Sequence, residues 1–470
     1  MLLGAAGGLA LLGVATAGYL ALPAAAQIAV RNQGYVPYSD APINYRTAPV
    51  TDPVALLQAK LESGEVKLTY DAKSHGYLKS VLKLLDIPVS SQTLVFSKTS
   101  FQFANITPEH PRALYYNDDV YVGSVHDGKT IEIVSFDQNQ GAIFYLLEEE
   151  KAEKPVFQRA ELDCTQCHIA PATRGVPGVF LRSIYPTKLG AVSGRAPSFV
   201  TDQKSAIKER WGGWYVTGEL AKGTLANSAL VDTPPPASGA GAAPALPLQL
   251  TSIADGYAKG AYLTPTSDQV ALLVLAHQTQ MHNLITLTNY QTRLALHAVA
   301  KDGAPAPTSL AVLPEKERAQ IEKPAEQLVR YLLFSGEAPL GAANGKSTIA
   351  ASPFARDFTK RAERDSKGRS LRDFDLETRI FRYPASYLIY SSAFDAIPQP
   401  AKGYIYHRLL QVLSGEDQGP DFAHLSAADR QAILAILLET KPGVPDDWRA
   451  YARANRLRVA ALPPGGRKDG

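Results

Sequence analysis

The chain has 470 residues, 45% of them hydrophobic and 20% charged, enough to bury a large core in roughly two or three domains and too apolar for a disordered or fibrous protein. A net charge of +3 without a long basic run gives no electrostatic case for a nucleic acid as partner. Only two cysteines are present, which excludes a disulfide framework and a zinc site built on three or four thiolates.

No charged residue precedes Arg31. Leucine-rich runs lead to Pro23-Ala24-Ala25-Ala26-Gln27, an apolar stretch with a small-residue end that reads as an export signal cut after Ala26. The run is also long enough to span a bilayer, and no Lys or Arg precedes it, so an uncleaved anchor over 1–26 stays open. Both readings put the remainder outside the cytoplasm, with possible inner-membrane association through the N-terminus.

Helical spacing in Val54, Leu56, Leu57 and Leu61, and again from Leu78 to Leu85 after a turn at Gly76, predicts a small helical unit over 51–86. The period then changes. Ala113–Tyr116, Val120–Val125, Thr130–Phe136 and Ala142–Leu147 are short runs of β-branched and aromatic residues separated by turn residues, and they predict an antiparallel meander. Asp127-Gly128 predicts a type I′ hairpin within it. These elements form an N-terminal α/β-meander region over 27–160. Residues 161–300 hold both cysteines, the cluster Trp211-Gly212-Gly213-Trp214-Tyr215 and a Pro/Ala/Gly-rich insertion at 233–247. A long helix is expected from Ser267 to Ala300, started by Ser267-Asp268. From 301 to 470 the pattern is mainly helical, with Glu315–Phe334 kinked at Pro324, then Ser386–Phe394, Tyr404–Leu413 and Ser426–Thr440, the last opened by a capping-box pair, Ser426 and Asp429.

Both cysteines fall in Cys164-Thr165-Gln166-Cys167-His168. The spacing suits two thiols adding to the vinyl groups of a haem while a helical turn sets the next imidazole beneath the iron. A thioredoxin-type pair would follow a βα unit rather than a meander. Zinc would require further ligands from elsewhere, and a disulfide across two residues closes too small a loop to stabilise much.

On these five residues and the export signal the chain resembles the c-type cytochromes, with the layout of the large mono-haem proteins of bacteria. The resemblance implies one covalent haem c, His168 as proximal ligand, a periplasmic location and redox partner proteins. A small single-domain cytochrome c differs in carrying its motif near the N-terminus. The expected fold is therefore α+β, an antiparallel β meander with a cytochrome c-like haem segment and a mainly helical C-terminal region.

Met281 is the one methionine beyond Met1. At helical spacing it shares an apolar face with Val270, Leu273, Val274, His277 and Leu284, while His282 points elsewhere. Met281, His277 and His282 are the candidates for the sixth iron position, beside an open site, and core packing is the competing role of each. His75, His110, His126, His297, His407 and His424 lack a comparable setting. Arg174 and Arg182 follow the motif closely enough to pair with haem propionates, and Trp214 and Tyr215 can line the pocket or donate to a propionate. Electron transfer between redox partners is the first functional reading. A peroxidase- or oxygenase-like haem enzyme with an open distal site and a haem sensor are the alternatives.

Overall fold

The computed structural model describes residues 36–192, 198–217, 224–230, 245–247, 262–301, 304–341, 352–455 and 457. The leader at 1–26 and residues 233–244 of the insertion lie outside them.

Seven antiparallel strands make the central sheet: β1 (Thr93–Val95), β2 (Arg112–Tyr116), β3 (Val120–Ser124), β4 (Thr130–Asp137), β5 (Gly141–Glu148), β6 (Gln158–Arg159) and, from much later in the chain, β9 (Trp214–Tyr215). Their order is β6-β5-β4-β3-β2-β1-β9. Strands β2 to β5 are the predicted meander. The link between β3 and β4 differs from the expectation: only Asp127 takes a positive φ, 55°, where a type I′ turn would place Gly128 there too. The edge strand β9 lies outside the predicted meander and arises because Leu94 and Val95 pair with Tyr215 and Trp214. Two short strand pairs lie apart, β7 (Leu181–Ser183) with β8 (Phe199–Thr201), and β10 (Ser228–Leu230) with β11 (Ala245–Pro247), the last being the described end of the insertion.

Each face of the sheet is covered by its own core. On one, Ala113, Tyr115, Val122, Ile133, Ile143 and Tyr145 pack with helices α1 (Pro53–Glu62) and α2 (Leu78–Leu84). On the other, Tyr116, Tyr121, Phe136, Ala142 and Phe144 join a larger cluster shared with the C-terminal helices. Strands buried on both faces lose the simple in-out alternation.

The short helix α3 (Glu161–His168) carries the motif, and α4 (Gln269–Ala298) is the longest element. Asp268 caps α4, its carboxylate accepting from the backbone N–H groups of Val270 and Ala271 at 2.9 and 3.0 Å. Residues 269 to 286 of α4 are buried without a break. The helix runs between the sheet and a C-terminal group made of α5 (Glu315–Leu332), α6 (Pro353–Lys360), α7 (Ser392–Asp395), α8 (Gln399–Ser414), α9 (Ala427–Thr440) and α10 (Asp446–Ala454). Pro324 sits inside α5, and Ser426 with Asp429 forms the predicted capping box of α9. The predicted helix over 386–394 divides into a 3-10 turn at Tyr387–Tyr390 and α7. Among the described residues no helix is long and apolar enough to cross a membrane.

Candidate haem-attachment site

Cys164 and Cys167 stand three residues apart on α3, hence on one side of it, with His168 closing the helix. Cys164 is half-buried against the large core, whereas Cys167 is exposed. Leu162, two residues before Cys164, is 65% exposed. The rim of this segment is therefore open to solvent while its inner side rests on the fold.

His168 is fixed from two directions. Its Nδ1–H donates to the Gly178 carbonyl at 2.9 Å, and its own carbonyl accepts from the Gly178 N–H at 3.0 Å. Because a carbonyl only accepts, this bond assigns the proton to Nδ1 and leaves Nε2 with its lone pair. The Gly178-Val179 backbone is in turn clasped by Asn283 of α4, whose side chain accepts from Val179 N–H at 3.2 Å and donates to Val179 O at 2.8 Å. A Cβ at position 178 would overlap Asn283 Oδ1, so only glycine fits. The ring of His168 lies 5.0 Å from that of Phe144 and 6.0 Å from that of Phe180. Burial pushes the imidazole down in pKa, with the Arg112 charge adding to the fall and the Gly178 carbonyl and Glu132 opposing it. The neutral ring is the form a metal binds.

The charges felt by His168 form one device. Arg112 on β2 crosses over Gly123 of β3 to pair with Glu132 of β4, and any Cβ at Gly123 would strike the guanidinium. Ser100 Oγ and Gln102 Nε2 donate to the same Glu132 oxygen at 2.6 and 2.8 Å. Glu132 shares a face of β4 with Val134, whose partner on β5 is Phe144, the residue beneath His168.

The fold gathers fewer of the other candidates. Asn283 touches the motif loop, and about 100° per residue puts Met281 about 160° away around α4, on the face turned to the C-terminal helices. Met281 is fully buried in that core. His277 has both nitrogens engaged, Nδ1–H donating to Gln203 Oε1 at 2.5 Å and Nε2 accepting from Ser386 Oγ at 2.7 Å, and its ring stacks on Phe334 at 4.5 Å. Burial pushes its pKa down to about 3. It is placed as a satisfied core histidine. His282 donates from Nε2 to the Asp118 carbonyl at 2.8 Å and stacks on Phe136 at 3.9 Å, leaving Nδ1 buried without a partner.

Arg182 is exposed, its guanidinium 5.6 Å above the Phe180 ring that neighbours His168. Arg174 lies in the left-handed region at φ 62° and has a buried Nε–H with no partner. The expected role of Trp214 and Tyr215 as propionate donors is corrected: Trp214 Nε1 donates to Arg182 O at 2.9 Å, and the Tyr215 hydroxyl donates to Pro108 O at 2.8 Å. No local pattern singles out Gly178, Asn283, Arg112 or Glu132. Their signal is contact between β2, β4, the motif loop and α4, which no local spacing encodes.

Among the described residues no group of three or more His, Cys, Asp or Glu is assembled for a bare metal ion. A haem brings four nitrogen ligands of its own and asks one or two of the protein. One exposed and one half-buried thiol beside a histidine with its tautomer fixed fit that group. No family model, no curated protein and no solved structure matches the chain, so the chemistry of the site rests on its own residues.

Proposed function

We propose that the chain holds one haem c through thioethers at Cys164 and Cys167, with His168 Nε2 facing the iron, and that it transfers electrons between redox partner proteins outside the cytoplasm. The carrying observation is the His168 Nδ1–Gly178 carbonyl bond. Metal-binding histidines characteristically donate their second ring N–H in this way, which sets the ring plane and strengthens the free nitrogen as a ligand. Bound haem c supplies reversible one-electron chemistry at iron. The protein's part is to orient the imidazole through Asn283 and Gly178, to shield it with Phe144 and Phe180, and to leave the Cys167 side at the surface. An exposed edge suits exchange with a docked partner. Residues 1–26 serve as the export signal or anchor such a location requires.

A second reading, catalysis or sensing at an open sixth position, is favoured by the placement of Met281 behind α4 and by the engaged nitrogens of His277. Optical spectra of the oxidised and reduced protein, made with a haem-attachment system, separate the two with carbon monoxide as probe. Electron transfer predicts a low-spin spectrum indifferent to carbon monoxide. High-spin iron that binds carbon monoxide in the unaltered protein establishes the second reading. Absence of covalent haem by mass rejects both.

A further inference from the structure

On the face of the sheet turned away from His168, a cleft of about 690 Å³ opens at the ends of β2 to β5. It has the size of a small-molecule site, which spans about 300–1,000 Å³. Ala113 and Tyr115 of β2 line it with the β3–β4 turn, the 70–78 loop, the chain just after β5, and Tyr262 from beyond the insertion.

The lining is held in place on every side. The Tyr115 hydroxyl donates to Gln92 Oε1 at 2.7 Å and that of Tyr262 to Pro111 O at 2.8 Å, so both rings are pinned by their polar ends. Asp71 and Gly76 close the loop with two backbone bonds of 2.7 and 3.1 Å, and the Asp71 carboxylate accepts from Lys73 N–H, Ser74 Oγ and Lys79 Nζ. The Tyr77 hydroxyl donates to Ala152 O at 3.2 Å and accepts from Ala152 N–H at 2.9 Å, tying the chain after β5 to that loop.

Glu149 is the charge this frame holds inside. A Cβ at Gly76 would overlap Glu149 Oε2, and the Tyr70 ring stands 3.5 Å from the same point, so the carboxylate and the ring meet where only glycine leaves room. Burial pushes the carboxyl up to about 7, with the Tyr77 N–H opposing the rise, and among the described residues no cation pairs with it. Lys129 faces it across the ladder, its carbonyl accepting from Glu149 N–H at 2.8 Å, but its side chain is exposed and no ion pair joins the two. Asp127, Glu148 and Glu150, also exposed, line the same cleft and outweigh that lysine. A cleft with such a field gathers cations. No trio of His, Cys, Asp or Glu among the described residues is assembled for a metal ion, and the tyrosine walls suit an organic one.

We propose that this cleft binds a small organic ammonium ion, its charge on the Glu149 carboxylate and its apolar body against Tyr70, Tyr115 and Tyr262. An ammonium donates charge-assisted hydrogen bonds to a carboxylate, and aromatic rings attract a cation as well as apolar carbon. The site lies across the sheet from Cys164–His168 and does not rest on the haem reading.

Calorimetry on the full-length protein at about pH 8, where Glu149 is ionised, tests it with benzylammonium as probe, benzyl alcohol as the uncharged counterpart and benzoate as the opposite charge. The expected result is saturable binding of benzylammonium that neither control matches. The affinity falls about tenfold in Glu149→Gln and rises about twofold in Lys129→Gln. Glutamine keeps the shape and an acceptor for the Tyr77 N–H; should that variant not fold, Lys129→Gln, at an exposed position, decides alone. The site is overturned by the absence of saturable heat from benzylammonium, by equal binding of either control, or by an affinity that the substitutions leave unchanged. The titration reads the same with or without attached haem, so loss of the preceding reading leaves this one to stand or fall by itself.

Discussion

At the scale of single residues, the site depends on a backbone contact that only one side chain permits. Gly178 serves His168 with both its N–H and its C=O while Asn283 occupies the space where a Cβ would stand. Gly178→Ala forces Asn283 out and breaks its two bonds to Val179, an expected loss of about 1–3 kcal/mol by urea unfolding. The Arg112–Glu132 pair makes a second prediction at this scale. With haem attached, Arg112→Gln would remove a positive charge felt by His168 and lower the midpoint potential, whereas Glu132→Gln would raise it. Shifts of the same sign in both variants would show that packing, not charge, is responsible. Of these residues the sequence displayed only the cysteines and His168, whose chemistry is written into adjacent positions. Gly178 reads as one more loop glycine until Asn283 is set against it.

At the scale of elements, α4 meets two demands at once. Its apolar spacing predicted a helix from 267 to 300, close to the observed Gln269–Ala298. The same helix carries the polar run His277-Gln278-Thr279-Gln280 and His282-Asn283 at its most buried stretch. Each of these side chains is engaged: His277 by Gln203 and Ser386, Gln278 by Asn117 O and the Tyr121 hydroxyl, Thr279 by Ala276 O, Gln280 by Ala172 O, His282 by Asp118 O and Asn283 by Val179. A histidine and a methionine on one helix face suggest iron ligands when the sequence is read alone; burial supplies packing and hydrogen bonds as the competing demand. Asp268 starts this helix, and Asp268→Ala is expected to lower the unfolding free energy by about 1 kcal/mol, seen as a lower urea midpoint at unchanged slope. A changed slope would point to a different unfolding transition instead. The short helices α6 and α10 were not foreseen, because eight or nine residues hold too few turns for a periodic signal to stand out.

For the whole molecule, buried ionisable groups of two kinds act against each other. His277 is pushed down to about 3 and His282 to about 4, burial being the first cause in both. Above about pH 6.5 their contribution to stability is complete, and it is lost as pH falls and the unfolded chain takes up protons that the fold refuses. Asp119, Glu149 and Glu337 are each pushed up to about 7 by burial. Between about pH 4 and 7 the folded state keeps protons that the unfolded chain releases, so these three lose stability as pH rises. Glu337→Gln removes one of them. Relative to the unaltered protein, the variant should gain stability from pH 5 to 7 by up to about 1.4 kcal/mol per pH unit, and a difference that stays constant with pH would refute the assignment. The sheet itself was legible where neighbours in sequence are neighbours in space, from β2 to β5. Strands β1 and β9 were not, since a two- or three-residue strand is defined by the partner it meets across a long stretch of chain.

That long-range closure bears on the order in which the protein assembles. The stretch with Cys164–His168 leaves one margin of the sheet at β6 and returns to the opposite margin at β9, so it is a strap fastened at both ends. The hairpins from β2 to β5 close short loops and can zip early, whereas the strap's second fastening brings together positions far apart in the chain and bears a larger loop-closure entropy. Folding from the centre of the sheet outward therefore keeps the two thiols on a slack, accessible segment until the last strand is seated, and it is during that interval that a covalent group is most readily introduced.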